Sequence, residues 1–262
     1  MSLPVSPTAL RGLLKELESS SRDVRPLVVG GARELATVLR RELARGGSPG
    51  AVREGDDPRG ARVLVYVLGR DPDEQDEAAL KQARRARVAI VAVAAGPVSE
   101  DISIPYVFAT DVVRVGAGEG FPVEAIARAI AGRLGEDAAP LAARLPFLRR
   151  AVAERIVSSC ARKNGLVGAA VFVPGADLPI LVRNQARMLL RLSQVYGREI
   201  GRDRLPELAA TVGAGVGLRA VARELLDLVP VAGWAVKGAV AYAGTRGLGE
   251  AALRRLESGA AS

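Results

Sequence analysis

Gly30, Arg33 and Thr37, in the stretch GGARELAT, come nearest in type and spacing to residues that could do chemistry. A short apolar run precedes them and a helical pattern follows, the setting in which a glycine-rich turn cradles phosphate. That chemistry asks for G-x-x-x-x-G-K-[ST]: the second glycine lets backbone N–H groups close round the phosphate, the lysine neutralises it and the hydroxyl holds magnesium. Laid on Gly30, the chain supplies the first glycine and Thr37, but Leu35 stands at the second glycine and Ala36 at the lysine. Arg33 lies close enough in sequence to meet an anion, although a solvated residue of the first helical turn is its plainer reading. The dinucleotide pattern G-x-G-x-x-G finds only Gly30 and Gly31. A degenerate loop that holds neither nucleotide nor any other cofactor is the expectation.

Other chemistries lack their parts. The chain has no histidine and a single cysteine, Cys160, which removes the commonest general base, zinc clusters and any intrachain disulfide. Asp57-Pro58-Arg59-Gly60 spells the D-x-x-G of a GTPase switch but stands directly before the next apolar run, so it reads as a turn opened by Asp and Pro and closed by Gly. Where N-K-x-D would read guanine, the residues are Ala95-Gly96-Pro97. No general acid, base, nucleophile or metal ligand can be assigned, and the chain is expected not to be an enzyme.

The elements around these residues divide the chain in two. Residues 1–149 carry 21 basic and 20 acidic side chains, and residues 150–262 carry 16 and 9, so nearly all of the net charge of +8 lies in the second half. In the first half, Leu27–Val29, Arg62–Leu68 and Val88–Ala94 are apolar runs of strand length without alternation, as strands buried on both faces would be. Helical patterns, Ala32–Ala44 and Pro72–Arg87, fall between them; Tyr106–Val115 reads as a further strand and Val123–Leu134 as a further helix. Strands joined by crossover helices mean a small, doubly wound parallel sheet. The expected order is a helical lead-in over 1–24, the α/β domain over 25–135, a linker over 136–149 broken by Gly and Pro, and an all-α domain, rich in Gly and Ala, over 150–262.

The helical half is apolar but interrupted. Its longest uncharged run, Asn164–Ala176, is 13 residues and ends on Asp177, short of the roughly 20 apolar residues a spanning helix needs. Pro174, Gly175, Asp177 and Pro179 read as a turn between two helices, with Asp177 as the cap of the second. Beyond it Arg183, Arg187 and Arg191 recur every fourth residue, a stripe able to meet phospholipid headgroups or an acidic protein, or to stand in water as a solvated face. No aromatic stacking set accompanies them, which disfavours nucleic acid. Gly213 and Gly217 form GxxxG, and Ala235, Ala239 and Ala243 repeat that spacing, so close helix packing or self-association is expected. Trp234 and Lys237 are candidates for an interfacial contact.

Two resemblances follow. GGARELAT, then ARVLVYVLGRDPDEQDEAALKQARRARVAIVAVA, then VVRVGAGEGFPVEAIARAIAGRL make residues 25–135 resemble an Era-type small GTPase domain with its nucleotide motifs eroded. GAAVFVPGADLPILVRNQARMLLRLSQVYG (Gly168–Gly197) and LVPVAGWAVKGAVAYAGTRGLG (Leu228–Gly249) resemble the bacterial domain of unknown function 697, which follows such GTPase domains in membrane-associated proteins. The resemblance implies a non-catalytic, GTPase-like adaptor or scaffold whose basic helical domain associates with an anionic membrane surface or with itself. The alternatives are a soluble regulator that binds an acidic protein and an atypical GTP-binding protein. MSLPVSPTALRGLLKELESSSRD shows no secretory pattern, so a cytoplasmic location is expected, extending to the inner face of the cell membrane.

Overall fold

The structure is a computed structural model that describes residues 12–13, 15, 18–19, 22–23, 25–99, 103–116, 118–170, 178–198 and 233–258. It divides into two compact units: Arg22–Val152, and Met1–Ser21 with Ala153–Ser262.

The first unit is α/β. Its five strands are β1 (Leu27–Gly31), β2 (Val52–Glu54), β3 (Val63–Leu68), β4 (Ala89–Ala94) and β5 (Val112–Arg114). Every pairing is parallel and the order is β2-β1-β3-β4-β5, that of flavodoxin-like doubly wound sheets. All six residues of β3 are buried, as a run without polar alternation in mid-sheet requires. Helices α1 (Arg33–Leu43), α2 (Glu74–Arg85) and α3 (Val123–Leu134) cover the sheet. Leu80 and Ala83 of α2 pack on Val28, Leu64, Tyr66, Leu68, Ile90 and Ala92. Strand alternation puts Val29, Val65, Val67, Val91 and Val93 on the other face, where α1 meets β1, β2 and β3, and α3 meets β4 and β5.

The ends of α2 show why the helix sits where it does. Asp73 caps the first turn and forms a capping box with Asp76, and Arg84 and Arg85 close the last turn, the charge order that the helix dipole favours. Arg87 N–H then donates to Arg84 O and Val88 N–H to Ala83 O, a Schellman stop with arginine at the left-handed position (φ 55°) that usually holds glycine.

Three expectations change. Tyr106–Val115 is not one strand: Ile104-Pro105-Tyr106-Val107 makes a turn with Tyr106 at φ 64°, Ala109–Asp111 is a 3-10 turn, and only Val112–Arg114 pairs. The edge strand β2 had no apolar run to mark it, because Arg53 and Glu54 face solvent. Residues 136–149, expected as a linker, are folded: a 3-10 turn (Gly135–Ala138) leads to α4 (Ala139–Arg144) and to α5 (Pro146–Ala170), with Ala138, Leu141, Leu145 and Leu148 buried. Their small apolar side chains pack, and Arg62, directly before β3, ties the stretch to the sheet through its ion pair to Asp137 (3.0 Å).

The second unit holds the rest of α5 with α6 (Leu178–Val195) and α7 (Gly233–Ser258). Here α5 and α7 run antiparallel at glycine-limited distance. A Cβ on Gly168 would lie 2.8 Å from Ala241 Cβ, one on Gly238 3.0 Å from Ala169 Cβ, and one on Gly249 2.6 Å from Val157 Cγ1. Ala235, Ala239 and Ala243, expected to form the packing face, are exposed instead. Glycine and alanine surround α7 on nearly every side, so their spacing alone does not choose a face; Thr245, fully buried, lies on the side that packs. Gly213 and Gly217 lie outside the described residues, as do Pro174, Gly175 and Asp177; Pro179 is an exposed residue of the first turn of α6, where proline is tolerated.

Candidate functional site

In an open α/β sheet the ligand crevice lies beyond the strand carboxyl ends, where the order reverses, here between β1 and β3. The glycines at the end of β1 answer to protein atoms at that point. A Cβ on Gly31 would penetrate Val67 O of the adjoining strand, and one on Gly30 would stand 2.9 Å from both Asp56 Oδ1 and Gly55 O. Gly31 N–H donates to Asp56 Oδ1 at 3.0 Å and Ala32 N–H to Val67 O at 2.9 Å. A carboxylate of the chain thus takes the amide that a phosphate would seek at the start of α1.

The other two residues singled out in GGARELAT, Thr37 and Arg33, are engaged or exposed. Thr37 Oγ1 donates to Glu54 Oε1 at 2.6 Å, with Arg33 O 2.9 Å away, so the hydroxyl points at β2 rather than at a metal position. The Thr37 hydroxyl, together with the Arg40 guanidinium at 2.9 Å, holds the Glu54 carboxyl below its ordinary pKa. Arg33 is exposed on the first turn of α1. Asp57-Pro58-Arg59-Gly60 is a turn in which Arg59 N–H donates to Asp57 Oδ1 and Gly60 takes φ 73°.

At the exit of β3 a second set of pairs joins the strand to the start of α2. Asp76, nearly buried, accepts from Tyr66 Oη at 2.9 Å, Arg70 Nη1 at 2.8 Å and Asp73 N–H at 3.0 Å. Burial, then the bond to Asp76, pushes the Tyr66 phenol above its ordinary pKa. Neither Asp56 nor this cluster was legible as a site residue; in the sequence Asp56 belongs to a turn and Asp73 and Asp76 to a helix start. Among the described residues no group of histidine, cysteine, aspartate or glutamate side chains is placed to hold a metal ion.

In the helical unit the arginine stripe does not survive as one face. Arg183 is exposed and Arg187 half-buried, while Arg191 is 4% exposed and donates from Nη1 to Gln194 Oε1 at 3.1 Å. Each four-residue step turns a helical row by about 40°, which carries Arg191 into the side of Met188 and Val195, both buried. Below it the three helices share uncharged polar groups: Asn164 Nδ2 donates to Thr245 Oγ1 (2.9 Å), Gln185 Nε2 to the same oxygen (3.1 Å), and Asn184 Nδ2 to Asn164 Oδ1 (2.8 Å). The pair Tyr196-Gly197 ends α6: Gly197 at φ 67° lets Arg198 N–H reach Ser193 O and its own N–H reach Gln194 O.

The described carboxylates of the unit lie toward one end, where Arg155, Arg198, Arg246, Arg254 and Arg255 accompany them. At the end formed by the carboxyl-terminal half of α5 and the starts of α6 and α7 stand Arg162, Lys163, Arg183, Arg187 and Lys237, with no aspartate or glutamate among the described residues there. Leu166, 72% exposed, and Ile180, 47% exposed, stand among them. Glu154, Glu250 and Glu257 all lie toward the other end. Lys237 is half-buried; Trp234 is the second residue of α7, and its side chain lies outside the description. Among the described residues no helix is long and apolar enough to cross a membrane.

Residues 140–261 match the family model described as domain of unknown function (DUF697), so the match begins within α4. No GTPase family accompanies it over the α/β unit. No curated protein and no solved structure matches the chain.

Proposed function

We propose that the chain is a non-catalytic adaptor whose helical unit docks on anionic lipid headgroups at the inner face of the cell membrane, with the GTPase-like α/β unit as a module that does not hydrolyse nucleotide. The observation that carries this reading is the end of the helical unit where Arg162, Lys163, Arg183 and Lys237 stand with the exposed Leu166 and Ile180 and, among the described residues, no carboxylate. Cations beside apolar side chains are what an interfacial contact uses: charge draws the surface in and the apolar groups enter the headgroup boundary. The closed β1–α1 loop supports the non-catalytic part, since its amides and hydroxyl already have partners.

Flotation of the full chain with phosphatidylglycerol and with phosphatidylcholine vesicles tests the proposal. Binding to the anionic vesicles alone is expected. Each basic side chain near such a surface contributes about 1 kcal/mol, so changing Arg162, Lys163 and Arg183 together to Gln should weaken binding by about 100-fold. Flotation unchanged in that variant would refute the surface, and absence of flotation with both lipids would move the docking end to an acidic protein or to a second copy of the chain.

A further inference from the structure

A cleft of about 600 Å³ opens in the α/β unit on the side of α1, beyond the carboxyl ends of β4 and β5. One wall is a flank of α1, with Leu35, Val38 and Glu42 at the spacing that puts them in line. The sheet-facing residues of that helix are Ala36, Leu39 and Leu43, so Val38, 47% exposed, is an apolar side chain given to the cleft. The other wall comes from the chain just after β4 (Ala95–Pro97) and just after β5 (Val115, Gly116 and Gly118 to Phe121), the carboxyl ends of adjacent strands. These walls are built firmly. A Cβ on Gly96 would collide with Gly69 O of the β3 exit, and Ala95 N–H donates to Leu68 O and Val115 N–H to Ala94 O, each at 2.8 Å.

The charges in this cleft are of one sign. Glu42 and Glu119 are the charged residues that line it, and neither enters an ion pair among the described residues, in a chain with 37 lysines and arginines against 29 acids. Gly116 makes room for one of them: a Cβ there would lie 2.5 Å from Glu119 Oε2, so the carboxylate folds over its own loop. Leu35, Val38, Pro97 and Phe121 supply apolar walls, and the volume is that of a small-molecule pocket.

We propose that this cleft binds a small organic cation, an ammonium or guanidinium joined to an apolar body, with Glu42 and Glu119 meeting the charge and Val38, Pro97 and Phe121 the body. Phenethylamine is the probe, with phenethyl alcohol and phenylpropionate as its neutral and anionic counterparts, each titrated into the full chain by calorimetry. Saturable binding of the amine is expected, at least about tenfold tighter than the alcohol, with no binding of the acid. Glu42→Gln with Glu119→Gln should remove that preference. Both side chains stand at the surface, so the fold should persist, and an unchanged thermal transition checks it; Val38→Trp, which fills the cleft, should abolish binding of amine and alcohol alike. Equal affinity for amine and alcohol, no saturation by the amine, or amine binding that survives the double glutamine change would each overturn the proposal. Binding of a Lys- and Leu-containing peptide but not of the free amine would also overturn it, in favour of a protein partner.

Discussion

Gly31→Ala separates the two readings of the β1–α1 turn. If the glycine served phosphate, the change would cost nucleotide affinity and leave stability nearly intact. The geometry says the reverse. The residue sits at φ 96°, and the new Cβ would have to occupy the space of Val67 O, the acceptor of the Ala32 N–H bond. A left-handed L-residue costs about 1–2 kcal/mol, and prising β1 from β3 there forfeits the bonds from Ala32 to Val67 and from Gly31 to Asp56, about 0.5–1.5 kcal/mol each. The sum is a destabilisation of about 2–5 kcal/mol, a large share of the roughly 5–15 kcal/mol that hold a domain together. The assay must watch the right unit. The single tryptophan, Trp234, belongs to the helical unit, so far-UV circular dichroism in urea should be joined by amide exchange at Ala32, Val65 and Val67. A midpoint within about 0.5 kcal/mol of the parent, with those amides still protected, would refute the packing argument.

Two further outcomes follow from backbone and charge. Arg87→Gly should raise the stability of the α/β unit by about 0.5–1 kcal/mol, because relief at φ 55° exceeds the added freedom of the unfolded chain; a thermal midpoint that falls would show that the arginine side chain carries weight the Schellman stop does not explain. Asp23 is held below its ordinary pKa chiefly by its hydrogen bonds to Arg25, with Arg62 nearby. The sign follows from that depression: the stabilisation is present above the unfolded carboxylate value, about pH 3.9, and is lost as pH falls through the folded value. Asp23→Asn should therefore flatten the acid limb of the stability curve, and a limb of unchanged slope would count against the pairing.

What could be read from the sequence was what periodicity encodes. The buried strands β1, β3 and β4 announced themselves because a parallel sheet covered on both faces needs unbroken apolar runs, and α3 was bounded correctly because its pattern and its flanking Pro and Gly agree. What could not be read depends on which of several equivalent faces is used. Strand β2 is short and polar on an edge, so nothing distinguished VRE from loop. Arg183, Arg187 and Arg191 share a spacing, yet only contact with neighbouring helices decides that the last is buried. The site suffered most: Asp56 sits 25 residues from the amide that it occupies, and no local pattern records such a pairing.

The polar centre of the helical unit bears on how so plain a composition specifies one packing. With 3% aromatic residues and a surplus of glycine and alanine, the contact between α5 and α7 rests mainly on small residues, with Tyr242 packed against Gly165. Sliding one helix past the other by a turn would bring Thr245 or Leu253 to the place of Gly249, where a Cβ would lie 2.6 Å from Val157 Cγ1. It would also strand Asn164 and Thr245, both fully buried, away from each other and from Gln185. A buried polar group left without a partner costs about 1–3 kcal/mol, and one slip breaks several bonds at once. The amides and the threonine hydroxyl therefore fix the register together with the glycine contacts, and through it they hold the starts of α6 and α7 beside the end of α5. It is that alignment which gathers Arg162, Lys163, Arg183 and Lys237 at one end of the unit, so the surface proposed for lipid depends on a hydrogen-bond cluster that never touches it.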